Sequence, residues 1–248
     1  MRGGRFSPDG LYLALETSGQ AGSVALARGG EVVAYERLAL RGQHAAKLLP
    51  AVDACFAEAA VARTDLSGVV VGEGPGSFTG VRVAAATAKG IAAALDLPLW
   101  AVSSLAAGAL AGAEPLDEVQ PAIVYVLFDA RGDRVYGACY GVGRRGVETL
   151  TPPHAGSLRD VLAGEVPAGA VFAGDAAQRH HRAISSAGFR VAELPLGIPG
   201  AKGLLRYLVL HPDTPPVADR PAWEPRYLRA SNAEREWARR EGARTEAR

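Results

Sequence analysis

The chain has 248 residues, 48% of them hydrophobic and 21% charged, a globular balance that suits one large domain or two modest lobes. A formal net charge of +1 gives no general pull toward nucleic acid or an anionic membrane. Cys55 and Cys139 form neither a metal spacing nor a disulfide framework, no run nears the ~18 apolar residues of a membrane span, and the polar start lacks a signal-peptide core, so a reduced, cytoplasmic setting without a membrane partner is expected.

In chain order, residues 1–10 read as a flexible extension. Leu11–Glu16, Ser23–Arg28 and Val32–Leu38 read as strands, with Gly29-Gly30 a hairpin signal between the last two. Ala45, Leu48, Leu49, Val52 and Phe56 recur at helical spacing, which predicts a helix over 43–60, kinked where Pro50 removes the bond to Ala46. Val69–Gly72 is a strand, 79–95 a helix, Leu99–Val102 a strand and 103–113 a helix. The acidic, proline-containing stretch 114–121 reads as a linker. Beyond it a hairpin (122–128 and 135–140), a strand at Val171–Ala173 and a helix over 178–187 suggest a second unit with fewer helices. Five prolines between Pro212 and Pro225 make that stretch extended or looped, and the Arg/Glu tail after Arg229 reads as a solvated helix or disorder. The expected divisions are an extension (1–10), a first lobe (11–113), a second lobe (121–211), a return segment (212–229) and a charged tail (230–248).

Between the valine strand and the second helix lies Gly72-Glu-Gly-Pro-Gly-Ser-Phe-Thr-Gly-Val-Arg82. A strand, glycine-rich turn and helix present backbone N–H groups and a positive helix end to an anion. Gly74, Gly76 and Gly80 allow unusual backbone angles or close approach, Pro75 stiffens the turn, and Ser77 or Thr79 can cap the helix. It is not a P-loop, for it has no Gly-Lys-Ser/Thr ending. Gly76→Val is expected to strain a turn that needs positive φ, and Ser77→Ala to remove no more than a cap.

Gly74 to Arg82 resembles the signature of the TsaB family, also called YeaZ, relatives of the glycoprotease proteins in the actin, hexokinase and Hsp70 ATPase superfamily. Leu13-Ala-Leu-Glu-Thr17-Ser18 with Gly22–Leu26 is similar to the family's opening hairpin, with Glu16 where aspartate is usual. His44–Pro50 resembles its first helix, Asp129-Ala-Arg131 with Val135-Tyr136 its second-lobe strand pair, and Pro225–Arg229 its closing motif. The likeness runs from about Leu11 to Arg229. It implies an α/β, actin-like (ASKHA) fold of two mixed-sheet lobes with flanking helices, the second lobe reduced.

The resemblance also implies a scaffold that acts without catalysing. In the catalytic paralogue, TsaD, a His-x-x-x-His pair on the helix after the strand equivalent to Leu99–Val102 binds a metal. Here those positions are Ser104 and Gly108, and none of the five histidines pairs at ligand spacing. The expected partners are TsaD, the ATPase TsaE and, through their complex, tRNA, whose adenosine 37 is threonylcarbamoylated at N6 in tRNAs reading ANN codons. No cofactor is expected in the isolated chain beyond weak nucleotide binding, with ATP and metal supplied by partner subunits. The expected partner interface is His44, Leu48, Val52, Val81, Arg82, Ala85 and Ala88, a surface that would also serve a homodimer when the chain is alone. A charge at Val52 or Ala85 is expected to abolish docking and leave the monomer folded. Thr17, Ser18, Gly74, Pro75, Gly76, Ser77, Thr79 and Gly80 form the anion-friendly loop.

Two other classes remain open. An active ATP-dependent transferase or glycoprotease-like metallopeptidase would carry stoichiometric metal. A direct RNA-binding module would rest on seven arginines against four glutamates from Arg226 to Arg248, a diluted footprint.

Overall fold

Two five-stranded mixed sheets with the same strand order form the frame of the computed structural model, which describes residues 5–7, 9–38, 44–111, 122–144 and 146–228. The first sheet contains β1 (Leu11–Glu16), β2 (Gly22–Arg28), β3 (Glu31–Leu38), β4 (Leu66–Gly72) and β5 (Leu99–Val102), in the order β3-β2-β1-β4-β5. β1 and β2 pair antiparallel from Leu11↔Arg28 to Glu16↔Ser23, and β1 and β4 pair parallel through Leu13↔Val69 and Leu15↔Val71. All six residues of β1 are buried because both faces of the sheet are covered. Leu11, Leu13 and Leu15 face a core with α1 (His44–Ala59) and α2 (Phe78–Ala94), while Tyr12 and Ala14 face the opposite side.

The second sheet contains β6 (Ala122–Asp129), β7 (Arg134–Gly143), β8 (Gly146–Ser157), β9 (Val171–Ala173) and β10 (Arg190–Val191). Its order, β10-β9-β6-β7-β8, repeats the first with β6 to β10 in the places of β1 to β5. β6 likewise pairs antiparallel with β7 and parallel with β9. The actin-like fold expected from the resemblance is thus present as a duplicated unit. The reduction of the second lobe lies in element length and not in element number: β9 and β10 have three and two residues. Its helices α4 (Leu158–Ala163), α5 (Asp175–Arg179) and α6 (His181–Ser186) have six, five and six residues.

The last helix of each repeat crosses over. α3 (Ser104–Ala109) follows β5 but packs Leu105, Ala106 and Ala109 against Val124, Val126 and Phe128 of the second sheet. α7 (Ala201–Leu210) follows the second sheet but packs Leu204, Leu205 and Leu208 against Ala14, Val70 and Trp100 of the first. The two helices touch closely, since a Cβ on Gly203 would meet the Ala107 backbone.

Several expectations change. The expected loose N-terminus is anchored at Phe6, 5% exposed and stacked on Tyr12 at 4.4 Å. As expected, α1 continues through Pro50, from His44 to Ala59. The single helix expected over 178–187 is two short ones that meet at His180. The expected linker 114–121 and tail 230–248 lie outside the described residues. From Pro212 to Leu228 the chain has neither helix nor strand, as its prolines suggest.

Candidate functional site

The glycine-rich loop is keyed onto the β1–β2 hairpin. Thr17 Oγ1 donates to the Gly80 carbonyl at 2.6 Å, and Ser77 N donates to the Ser18 carbonyl at 2.8 Å. Ser77 is the N-cap of α2, its Oγ accepting from Gly80 N at 3.4 Å. Only Gly74 of the loop glycines has positive φ, 92°. Gly76 is required for a different reason than expected, because a Cβ there would lie 2.6 Å from Ser18 Cβ. Pro75 is buried and Thr79 exposed at the rim. The N–H groups of Gly74, Ser77 and Gly80 are all engaged within the protein, so the loop offers less to an anion than its letters suggest.

Behind the loop sits a buried carboxylate. Glu16 is fully buried; its Oε1 accepts from Ser18 N at 2.6 Å and its Oε2 from Ser104 Oγ at 2.7 Å. Ser104 Oγ also accepts from Gly74 N at 3.2 Å. Burial pushes the Glu16 carboxyl above its usual range, against the opposing effect of these hydrogen bonds. The side chain fills its space, since a Cβ on Gly72 would collide with the Glu16 carboxylate. At Gly108 the chain closes again: a Cβ would lie 3.1 Å from the Gly197 carbonyl, and Gly197 N donates to the Gly108 carbonyl at 3.0 Å. The two positions where the resemblance places metal-binding histidines are therefore packed shut, one by Glu16 and one by the second lobe's backbone. Among the described residues no group of three His, Cys, Asp or Glu is placed to hold a metal.

In front of the loop a cleft of about 500 Å³ opens between the lobes. Ser18, Gln20, Ser77 and Phe78 line it from the first lobe, Asp129, Asp175 and Leu194 from the second, and Arg226 and Tyr227 from the returning chain. Gln20 Nε2 reaches Asp175 Oδ2 across the cleft at 3.3 Å. Asp129 caps its turn by accepting from Arg131 N at 2.8 Å. Its ion pair, however, is with Arg179 at 2.9 Å, a partner 50 residues away that spacing could not reveal. Ser18 Oγ is buried without a hydrogen-bond partner. Cys55 and Cys139 are core residues whose thiols burial pushes up to about 12 and about 11, so neither is a nucleophile at neutral pH.

The expected interface residues are mostly core. Leu48 is 1% exposed, Val52 4%, Val81 3%, Ala85 4% and Ala88 0%. Helical spacing identified the apolar stripes of α1 and α2 correctly, but those stripes bind the monomer's own sheet. A charge at Val52 or Ala85 would consequently unfold the chain, contrary to expectation. Arg82 is exposed, with its guanidinium 4.0 Å over the Phe78 ring and its Nε on the Tyr227 hydroxyl at 3.0 Å. His44 opens α1, and its side chain lies outside the described residues. The faces left outward carry Ala45, Leu49, Asp53 and Ala57 on α1 and Thr79, Arg82, Ala86, Gly90 and Ala93 on α2; Leu49 is 54% exposed.

Comparison with known proteins places these features in context. The family model for TsaD, tRNA N6-adenosine threonylcarbamoyltransferase, matches residues 38–194. The tRNA threonylcarbamoyladenosine biosynthesis protein TsaB of Bacillus subtilis is 31% identical over 237 residues, 91% of this chain and 96% of that protein. The protein of the same name from Haemophilus influenzae is 40% identical over 124 residues, covering 50% of this chain and 51% of that one. The solved structure of YeaZ from Pseudomonas aeruginosa superposes with a TM-score of 0.70 at 28% identity, covering 88% of this chain and 100% of that one.

Proposed function

The chain belongs to the TsaB (YeaZ) family, with a role in tRNA threonylcarbamoyladenosine biosynthesis, and from that premise we propose that it is a non-catalytic docking subunit. It binds the TsaD paralogue and, with the ATPase TsaE, supports transfer of threonylcarbamoyl to N6 of adenosine 37 in tRNAs reading ANN codons. The observation that carries this reading is the closed Glu16–Ser104–Gly74 network, whose polar groups satisfy one another where a reaction centre would leave a metal or substrate position open. ATP and metal are supplied by the partner subunits. Alone, the chain associates with a second copy through the same surface and works in the cytoplasm; no described helix is long and apolar enough to cross a membrane.

The docking surface is the outward face of α1 and α2. Its small side chains allow another helix to approach closely, and Leu49 supplies an exposed apolar anchor. Leu49→Glu and Ala86→Glu place charges at exposed positions, so both variants are expected to fold normally. In calorimetric titration with the TsaD paralogue each should weaken binding at least about tenfold, since an unpaired charge buried in an interface costs several kcal/mol. Two folded variants that bind like wild type would remove this surface.

A second reading, an active ATP-dependent transferase or metallopeptidase, is favoured only by the size of the interlobe cleft. Stoichiometric metal in the purified chain, or turnover by it with ATP, threonine and bicarbonate, would establish that reading in place of the first.

A further inference from the structure

The buried face of α2 is made of Gly80, Val81, Ala84, Ala85, Ala88 and Ala92. One valine among glycine and alanines leaves few knobs to set the helix's register on the sheet, so its position must be held from elsewhere. The returning chain runs antiparallel to α2 and bonds to it at both ends. At the C-terminal end Arg220 Nη1 donates to the Ala92 carbonyl at 2.7 Å and to the Leu97 carbonyl, and Nη2 pairs with Asp96 at 3.2 Å. Midway, Lys89 Nζ donates to the carbonyls of Pro221 and Trp223 at 2.8 and 3.0 Å. At the N-terminal end Arg82 Nε donates to the Tyr227 hydroxyl at 3.0 Å and the Tyr227 ring lies 5.2 Å from Phe78, while Arg226 N donates at 2.8 Å to the Glu73 carbonyl in the loop that precedes α2.

The run begins in a tight turn, with Trp223 N donating to the Asp219 carbonyl at 2.9 Å and Ala222 N to Asp219 Oδ1 at 3.0 Å, which sets Arg220 under the C-terminal end of α2 before the chain continues toward Tyr227. α2 has no basic residue in its last turn, so Arg220 brings the positive charge that a helix C-terminus favours. Val217 and Trp223 anchor the run in the first-lobe core, and Val217 N donates to the Leu99 carbonyl at 2.7 Å on the outer edge of β5.

We infer that residues 217–227 are a strap that sets the position of α2 for docking, with Arg220 as its principal positioning residue. The inference rests on the reading of α1 and α2 as the docking surface. A partner that packs on one face of α2 binds the helix only in the register the strap imposes, so loosening the strap weakens docking with no contact to the partner removed.

The test compares Arg220→Ala and Arg220→Lys with Phe189→Ala, a second-lobe change that removes a ring packed 5.2 Å from Phe172. Each is made in the full chain and titrated with the TsaD paralogue at a temperature where all are folded. Arg220→Ala should bind about tenfold or more weakly, and amides in the last two turns of α2 should exchange faster while those of β1 and β4 do not. Arg220→Lys, which retains the charge and one carbonyl contact, should recover part of the affinity. Phe189→Ala should lose thermal stability yet bind like wild type. Binding by Arg220→Ala within twofold of wild type, unchanged exchange in α2, or an equal loss of affinity in Phe189→Ala would each overturn the strap. A wild-type chain that fails to bind overturns the docking reading itself, and this inference with it.

Discussion

At the residue scale, Glu16 decides what the first lobe can do. Its carboxylate reaches Ser104 and Ser18 N at once. Burial raises its pKa above the ordinary 4.5, so the folded protein holds this proton to higher pH than the unfolded chain. The stability it contributes is complete below about pH 4.5 and is lost as pH rises through the folded value. Glu16→Gln removes the titration, keeps an oxygen for Ser18 N and can donate to Ser104 Oγ. The melting temperature of Glu16→Gln minus that of wild type should therefore grow as pH rises between pH 5 and pH 8. Parallel melting profiles over that range would show that the Glu16 carboxyl does not titrate with a raised pKa.

At the scale of elements, α1 carries an evident conflict between local and tertiary preference. Pro50 lacks the N–H that would bond to Ala46, yet the helix continues because Leu48, Val52, Cys55 and Phe56 are buried on both sides of it. Both Ala46 and Pro50 are exposed, so solvent can reach this stretch of backbone. Pro50→Ala should restore the bond and stabilise the chain by about 1–3 kcal/mol, read from denaturant melts as a higher midpoint at unchanged slope. An unchanged or lower midpoint would mean that the proline is favourable in this helix.

The same elements show what was legible in the sequence. In the first lobe most element ends were read to within a residue, because the strands are apolar runs and α1 and α2 have a 3.6-residue period, but β4 begins at Leu66 and not at Val69, and the helix expected over 103–113 ends at Ala109. In the second lobe the β6–β7 hairpin and the strand Val171–Ala173 were legible, but the rest was not: β10 has two residues, α4 to α6 have five or six each, and twelve-residue β8 contains Pro152 and Pro153, which mark an edge strand. The Gly-Pro-Gly-Ser motif located the loop and its Ser77 cap correctly. Burial of the expected interface was illegible because an apolar helical stripe looks alike whether it meets the chain's own sheet or another protein. The hydrogen bond between Glu16 and Ser104, 88 residues apart, left no local signal at all.

For the whole molecule, the exchange of α3 and α7 makes each lobe depend on the other. Without α7, the first sheet exposes Ala14, Ala25, Val70, Trp100 and Val102. Without α3, the second sheet exposes Val124, Val126 and Phe128. Each of these faces is buried in the complete chain, and burial of apolar surface is worth about 25 cal/mol per Å². Halves that share their cores in this way cannot unfold separately without exposing both faces. The full chain should consequently unfold in one transition, with coincident midpoints for amide exchange in β1 and β4 of the first lobe and in β6 and β7 of the second. A fragment ending at residue 113 should fail to melt cooperatively, and adding residues 114–248 in trans should restore the transition if the crossed helices are the cause. Two resolved transitions in the full chain, or a cooperative melt of the 1–113 fragment alone, would mean that the lobes are autonomous and that α3 and α7 join them without completing their cores.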